Sequence, residues 1–292
     1  MTMAETARAR PRTLMLTADD FGQSPGISQG IVRLAHSGRL SATSCLTHGA
    51  QWPHLARLLR DLPPQLSRGL HFNLTEGVPL SAELRRLWPH FPGLLPLMIQ
   101  AHSRRLPKQA LAAEFAAQLG AFTEATGRWP NHIDGHQHVH HLPMVRDVVV
   151  RAVMNMKVDM KVDVAVRSTA RPLGPRSNIK RTLIARSGGL TLERLLQRHA
   201  IRHNRWLLGV YDFQATDYRA LMKGWLAHLP MDGGVLFCHP GAADPQPDAI
   251  GPARARELAY LSGTAFEDDL AAARVSLGPV FDPALTQKSR AG

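Results

Sequence analysis

The sequence predicts an α/β fold, a (β/α) barrel of about seven parallel strands, and three observations predict it. Short apolar or β-branched runs alternate with longer segments of helical spacing, the rhythm of strand–helix–strand units. The length of 292 residues suffices for one barrel. Polar clusters fall where several different runs finish, as they do around a barrel's catalytic rim, whereas an open sheet gathers its site at one or two switch points.

The runs expected as strands are 13–17, 42–46, 69–74, 132–134 continuing towards His138, 162–167, 207–211 and 234–238. The segments 27–37, 54–60, 108–126, 144–153, 219–229 and 253–261 read as helices. In 108–126, Leu111, Phe115, Leu119 and Phe122 make one apolar stripe, and Gly127 is a natural stop. Two segments break the rhythm. Segment 80–106 carries Trp88, Phe91, Leu94, Leu95, Leu97, Met98 and Ile99 with three prolines and reads as a long apolar loop or lid. Segment 167–206 holds ten Lys or Arg and a single acid, Glu193. There Leu192, Leu195 and Leu196 beside Arg194, Arg198, Arg202 and Arg205 form a basic amphipathic face suited to solvent or to anionic lipid headgroups. The expected organisation is one barrel domain over 13–282 with insertions near 80–106 and 168–206, between flexible tails at 1–12 and 283–292.

Hydrophobic residues at 44% and charged residues at 20% exclude a disordered or collagen-like chain. A net charge of +12 invites a nucleic-acid reading, but there is no zinc-finger spacing, no aromatic run of the RNA-binding type and no basic zipper, so no specific nucleic-acid partner is expected. Cys45 and Cys238 are far apart and form no CxxC pair, which argues against a cysteine zinc module and for a reducing compartment. The first twelve residues lack an apolar h-region, and no stretch approaches the ~18 apolar residues of a membrane span. The expected location is cytoplasmic, or peripheral at the inner membrane surface. A homodimer is the expected assembly if the chain is not monomeric.

Four clusters carry chemistry. Five of the fifteen histidines lie in Asn131-His132-Ile133-Asp134-Gly135-His136-Gln137-His138-Val139-His140-His141. On an extended strand His136, His138 and His140 would share a face; on a helix His136 and His140 would be neighbours. Either way two imidazoles can converge on one metal, with a carboxylate as third ligand and open positions left for water and substrate; the competing reading is an incidental polar loop. Thr17-Ala18-Asp19-Asp20-Phe21-Gly22 ends the first strand with two carboxylates, costly if buried alone, whose cost a cation removes. One can bind the metal while the other serves as general base; the competing reading is a helix N-cap. His71 stands inside the apolar Gly69-Leu70-His71-Phe72-Asn73-Leu74-Thr75-Glu76-Gly77, either as a ligand or as a core histidine. His239 in Phe237-Cys238-His239-Pro240-Gly241 is placed to protonate a leaving group, while Cys238 reads as packing.

Taken together these clusters resemble the YdjC-like carbohydrate deacetylase family, which includes chitooligosaccharide deacetylases and a hopanoid-biosynthesis-associated branch. The resemblance runs from about Leu14 to Leu261 and rests on TADDFG with the following Ser24-Pro25-Gly26 and Ile31, GLHFNLTEG, HIDGHQHVHHLP, and CHPG with Arg254 and Glu257 beyond it. The apolar insertion and basic segment resemble the hopanoid-associated branch. The resemblance implies a TIM-like barrel of irregular closure, related to polysaccharide deacetylases, and one divalent metal held by an Asp and two His. It assigns Asp20, His71 and His136 as ligands, with His140 the alternative to His136, Asp19 as general base and His239 as general acid. Arg167 is expected to orient catalytic groups or bind substrate, with Glu76 and His138 as further substrate-binding residues. His48, where a small polar residue is expected, departs from the pattern.

The activity implied is hydrolysis of an N-acetyl group on an amino sugar, in an N-acetylglucosamine-type glycan or a hopanoid-linked glycolipid. In that mechanism His239 acts as an imidazolium. Ligand softness suits Zn or Mn, and the family resemblance suggests Mg. A metal-dependent phosphoesterase uses the same residue types, and a non-catalytic basic module binding membrane or nucleic acid uses the charge but leaves the aspartates and histidines unexplained.

Overall fold

The computed structural model describes residues 11–175, 179–244 and 248–281. Of the expected tails at 1–12 and 283–292, residues 1–10 and 283–292 lie outside them, while Arg12 already belongs to β1 (Arg12–Phe21). Eight strands form one parallel sheet: β1 (Arg12–Phe21), β2 (Ala42–Cys45), β3 (Ser67–Phe72), β4 (His132–Gly135), β5 (Ala165–Val166), β6 (Leu207–Leu208), β7 (Gly234–Cys238) and β8 (Val275–Leu277). The order is β5-β4-β3-β2-β1-β7-β6, with β8 pairing the start of β1. Single parallel bridges, Val166 with His203 and Pro172 with Leu207, carry the sheet from β5 round towards β6. The sheet is therefore a curled, irregular barrel whose β5 and β6 edges are linked only through these isolated bridges. All seven expected strands are present. β8 was not foreseen, because three residues carry no periodicity.

The helices are α1 (Pro25–His36), α2 (Trp52–Leu55), α3 (Ala82–Leu87), α4 (Leu94–His102), α5 (Lys108–Thr126), α6 (Val145–Asp159), α7 (Ile179–Ile184), α8 (Leu190–Arg198), α9 (Tyr218–His228), α10 (Gly251–Ser262) and α11 (Thr264–Ala273). α1 is capped by Ser24, whose side chain accepts from the Ile27 N–H, with Pro25 in the first turn. Asp19 and Asp20 are thus not caps. α5 ends at Gly127 in the left-handed conformation (φ 69°), as expected.

Segment 80–106 is not a loop. Ser81 caps α3 through the Leu84 N–H, and Pro96 occupies the first turn of α4, where its missing N–H costs no bond. Leu84, Phe91, Leu97, Ala101 and Leu106 enter the core. α8 is amphipathic as expected: Leu192 and Leu196 are buried, Glu193 pairs with Arg171, and Arg194 and Arg198 face solvent with Leu190, Thr191 and Gln197. Its apolar stripe is used by the protein itself. No helix among the described residues is long and apolar enough to cross a membrane.

Strand alternation divides the core. Leu14, Leu16 and Ala18 of β1 pack under the helices, while Met15 joins Ala42, Ala165, Leu207 and Val235 inside the barrel. Two residues further along β2, β3, β4 and β5 stand polar residues: Ser44 after Ala42, His71 after Gly69, Asp134 after His132, and Arg167 after Ala165. The barrel is apolar at its base and charged at its carboxyl end. His132 is the lowest polar member, hydrogen-bonded to Ser44 Oγ and Ser67 Oγ, each at 3.0 Å. A Cβ on Gly69 would stand 2.3 Å from its ring, so the strand crosses that imidazole only as glycine.

Candidate metal centre

The two aspartates diverge because β1 is bulged. From Ala18 to Phe21 it advances three residues while β2 advances two, from Thr43 to Cys45. Asp20 absorbs the extra residue at φ 69°, a conformation Asp tolerates better than most side chains. Both carboxylates are buried. Asp19 meets Arg167, which donates from Nη1 to Oδ2 and from Nη2 to Oδ1, each at 2.7 Å. Asp20 meets histidines: its Oδ1 lies 3.4 Å from His71 Nε2 and 2.9 Å from His136 Nδ1, while Oδ2 accepts from Arg254 Nη2 at 2.8 Å.

Ligand atoms of Asp20, His71 and His136 lie within 4.8 Å of one another, and so do those of Asp19, His71 and Asp134. The first set is the better candidate for a metal centre. In the second, Arg167 occupies both oxygens of Asp19, and its Nη2 lies 2.5 Å from Asp134 Oδ2, so its charge is already neutralised. Asp134 instead supports the first set. His71 Nδ1 lies 2.6 Å from Asp134 Oδ1, so Nδ1–H donates to the carboxylate and Nε2 is left facing Asp20. The other Asp134 oxygen accepts from Ser44 Oγ at 2.6 Å.

The electrostatics fit a cation. Three buried carboxylates, Asp19, Asp20 and Asp134, face two buried guanidiniums, Arg167 and Arg254. Burial works to lower both imidazoles, yet Asp134 drives His71 up to about 10 and Asp20 drives His136 up to about 9. Protons thus fill the place that the acidic cluster reserves for positive charge. Burial likewise opposes ionisation of Asp20 and Asp134, but Arg254 beside the first and Arg167 beside the second hold both well below the ordinary carboxylate range. Two imidazoles and a carboxylate are a donor set for a divalent metal.

A family model described as YdjC-like protein matches residues 13–272. The chain belongs to the YdjC-like family. This YdjC-like chain is 35% identical over 159 residues to a chitooligosaccharide deacetylase of Klebsiella pneumoniae (strain 342), and 38% identical over 154 residues to one of Salmonella paratyphi B. Each alignment spans 52% of this chain and 60% of the relative, so the chain matches less than two thirds of those proteins' length. A candidate cellobiose-phosphate cleavage protein of Enterococcus faecalis V583 shares the fold, with a TM-score of 0.71 at 20% identity over 92% of this chain and 98% of that one.

The histidine run of this YdjC-like protein is neither strand nor regular helix. β4 stops at Gly135, and Gln137 (φ 51°) and His138 (φ 62°) turn left-handed within a 3-10 segment, His136–His141. The four imidazoles therefore part company. His136 enters the metal centre. His140, the alternative ligand, points elsewhere and donates from Nε2 to the Arg167 carbonyl at 2.8 Å. His141 bonds Thr169 Oγ1 and Ser187 Oγ at 2.8 and 3.0 Å. His138 is half-buried, its ring 5.1 Å from that of Phe237.

Of the remaining expected residues, Arg167 is 1% exposed, with its guanidinium against Asp19 and Asp134. Glu76 stands at the rim, its Oε1 3.1 Å from both His136 Nε2 and Gln137 Nε2; the first approach lacks hydrogen-bond alignment. Its loop is held by Asn73, which donates from Nδ2 to the Glu76 carbonyl at 2.7 Å. Gln118 of α5 in turn bonds the Asn73 backbone at both N–H (3.0 Å) and C=O (2.7 Å). His48 lies beside Asn73 and over Gly77, where burial lowers it to about 4. His239 sits half-buried between Phe213 and Phe237, ring centroids 5.2 and 5.6 Å away. Burial pushes its imidazole down to about 4, which favours the neutral ring before the reaction. Burial raises both thiols, which leaves Cys45 and Cys238 as packing groups. The sequence reading gave no role to Asp134, Arg254, Gln118 or Asn73. Asp134 had a usable signal, two residues before His136 and in phase with His132.

Proposed function

We propose that this chain is a metal-dependent N-deacetylase acting on an N-acetylated amino sugar, with Asp20, His71 and His136 as ligands. The observation that carries the reading is Asp20 Oδ1 facing two imidazoles while a second aspartate stands one residue away, locked by Arg167. A divalent ion there would polarise the acetyl carbonyl and acidify a water. Asp19, held by the guanidinium fork, takes the proton of the attacking water as its oxygen bonds to the acyl carbon. As negative charge builds on the acyl oxygen, the neutral His239 takes up a proton from solvent, while the proton on Asp19 returns to solvent after the acetate leaves. His239 then delivers a proton to the nitrogen as the C–N bond breaks, giving acetate and a free amine. Phe213 and Phe237 keep water from competing for that proton.

The chitooligosaccharide deacetylases among its relatives support an N-acetylglucosamine-type glycan as substrate. One observation favours a second acceptor, a lipid-linked amino sugar of the hopanoid type. Ile179 and Leu183 of α7 are 80% and 61% exposed, and Lys180 between them donates to the Tyr211 carbonyl and lies over Phe213, which touches His239. An apolar surface thus adjoins the mouth. Acetate release from chitooligosaccharides and from N-acetylglucosaminyl lipid in anionic vesicles separates the two. In either assay Asp19→Asn and His239→Ala should each lose roughly 10²–10⁴-fold with metal content unchanged. Near-wild-type turnover in either variant removes that residue from the mechanism.

A further inference from the structure

Helix α10 carries two buried polar residues, Arg254 and Glu257, one turn apart on the face turned to the barrel mouth. Arg254 reaches the metal half of the site: Nη2 donates to Asp20 Oδ2 at 2.8 Å and to Gln23 Oε1 at 2.9 Å, while Nε donates to Asp248. Glu257 reaches the other half. Its Oε2 accepts the backbone N–H of His239 at 2.5 Å, and its Oε1 accepts the Tyr211 hydroxyl. A bond from Gly241 N to the Arg254 carbonyl, 3.3 Å, ties the loop after His239 to the same helix. The His239 ring has little else to aim it, for Nδ1 is buried without a hydrogen-bond partner and its neighbours are aromatic edges.

We propose that Glu257 is the positioning residue for His239: by gripping its backbone N–H from the helix whose Arg254 grips Asp20, it fixes the proton donor at a set distance from the metal ligands. The inference rests on the deacetylase reading for its activity arm only. Its logic is that an acid 1 Å out of place can forfeit about 10²-fold in rate. A glutamate that only stabilises the fold would affect every substrate alike. One that aims a proton donor matters only where the leaving group needs a proton.

The test compares Glu257→Gln, Tyr211→Phe, His239→Ala and the double variant Glu257→Gln/His239→Ala on two substrates. N,N′-diacetylchitobiose loses an amine and needs the acid; 4-nitrophenyl acetate loses a stable phenolate and does not. Glu257→Gln should lose roughly 10–100-fold in kcat on the amide, with KM and metal content near wild type and the aryl ester changed less than about threefold. Tyr211→Phe should show the same selectivity more weakly. The double variant should be no worse than His239→Ala. Equal losses on both substrates, additive losses in the double variant, or an unchanged amide rate each overturn the proposal. Histidine nitrogen-proton NMR supplies an arm independent of turnover: in Glu257→Gln the His239 ring resonances should shift and broaden while those of His132 stay. If wild type cleaves neither substrate with Zn, Mn or Mg, the deacetylase reading fails. The NMR result then decides the positioning claim, and unmoved His239 resonances overturn it.

Discussion

Removing Arg167 should unfold more of the molecule than any other single change in the site. Its guanidinium makes a two-pronged bond to Asp19 at 2.7 Å per prong and lies 2.5 Å from Asp134, with all three side chains at most 3% exposed. Arg167→Met fills much of the same volume but leaves Asp19 without its counter-ion and Asp134 with His71 alone. Breaking one buried pair by deleting a partner costs about 3–5 kcal/mol. With two carboxylates affected the upper end applies, less whatever Asp134 recovers by pairing with His71. For a chain of this size each kcal/mol moves the melting temperature by roughly 2–4 °C, so a fall of roughly 6–20 °C is expected. Urea denaturation and calorimetry read it directly. Adding Asp19→Asn should return about half of the loss, because one stranded charge is removed. Arg167→Lys keeps the charge but not the fork, and should fall between wild type and Arg167→Met. A loss under about 1 kcal/mol in Arg167→Met, or no recovery in the double variant, would refute the claim that Arg167 neutralises both aspartates.

Two other outcomes follow from the same charges. His136→Ala should strip the divalent ion from protein purified without an affinity tag, and His140→Ala should leave it in place; elemental analysis giving the reverse would return His140 to the ligand set. The metal-free protein should lose stability as pH rises from about 6.5 to about 10. The sign follows from folded-state values of about 10 for His71 and about 9 for His136 against an ordinary histidine near 6.5. The native state then holds protons that the unfolded chain has released, so their contribution is complete below the unfolded value and vanishes above the folded ones. Loading the metal should flatten the profile, and a metal-free protein steadier at the alkaline end contradicts the assignment.

The seven long-range strands were legible because each is a short apolar run, and the depth of the site was not. Strand ends announced Asp19, Asp20, His71 and His239, since polar residues interrupt hydrophobic runs there. Burial of Arg167 could not be read, because nothing local separates a surface arginine from one that bridges two strands. The prolines of 80–106 suggested a loop, yet Pro96 lies where a helix accepts proline without loss. The histidine run promised a shared face, and two left-handed residues dispersed it. Partners separated by long stretches of chain, such as Asp20 with Arg254, required the fold itself.

The bulge in β1 bears on any attempt to transplant this centre. Copying Asp19, Asp20, His71 and His136 onto a regular parallel strand would send the two carboxylates to opposite faces of the sheet, one inside the barrel and one beneath the helices. What must be inherited is a backbone: the extra residue between Ala18 and Phe21, the positive φ at Asp20 and at Gly22, and Ser28 accepting the Gly22 N–H at 3.0 Å. The smallest portable unit of this chemistry is therefore a strand with its defect and the helix behind it, and a graft lacking that defect would be expected to bind metal poorly whatever its side chains.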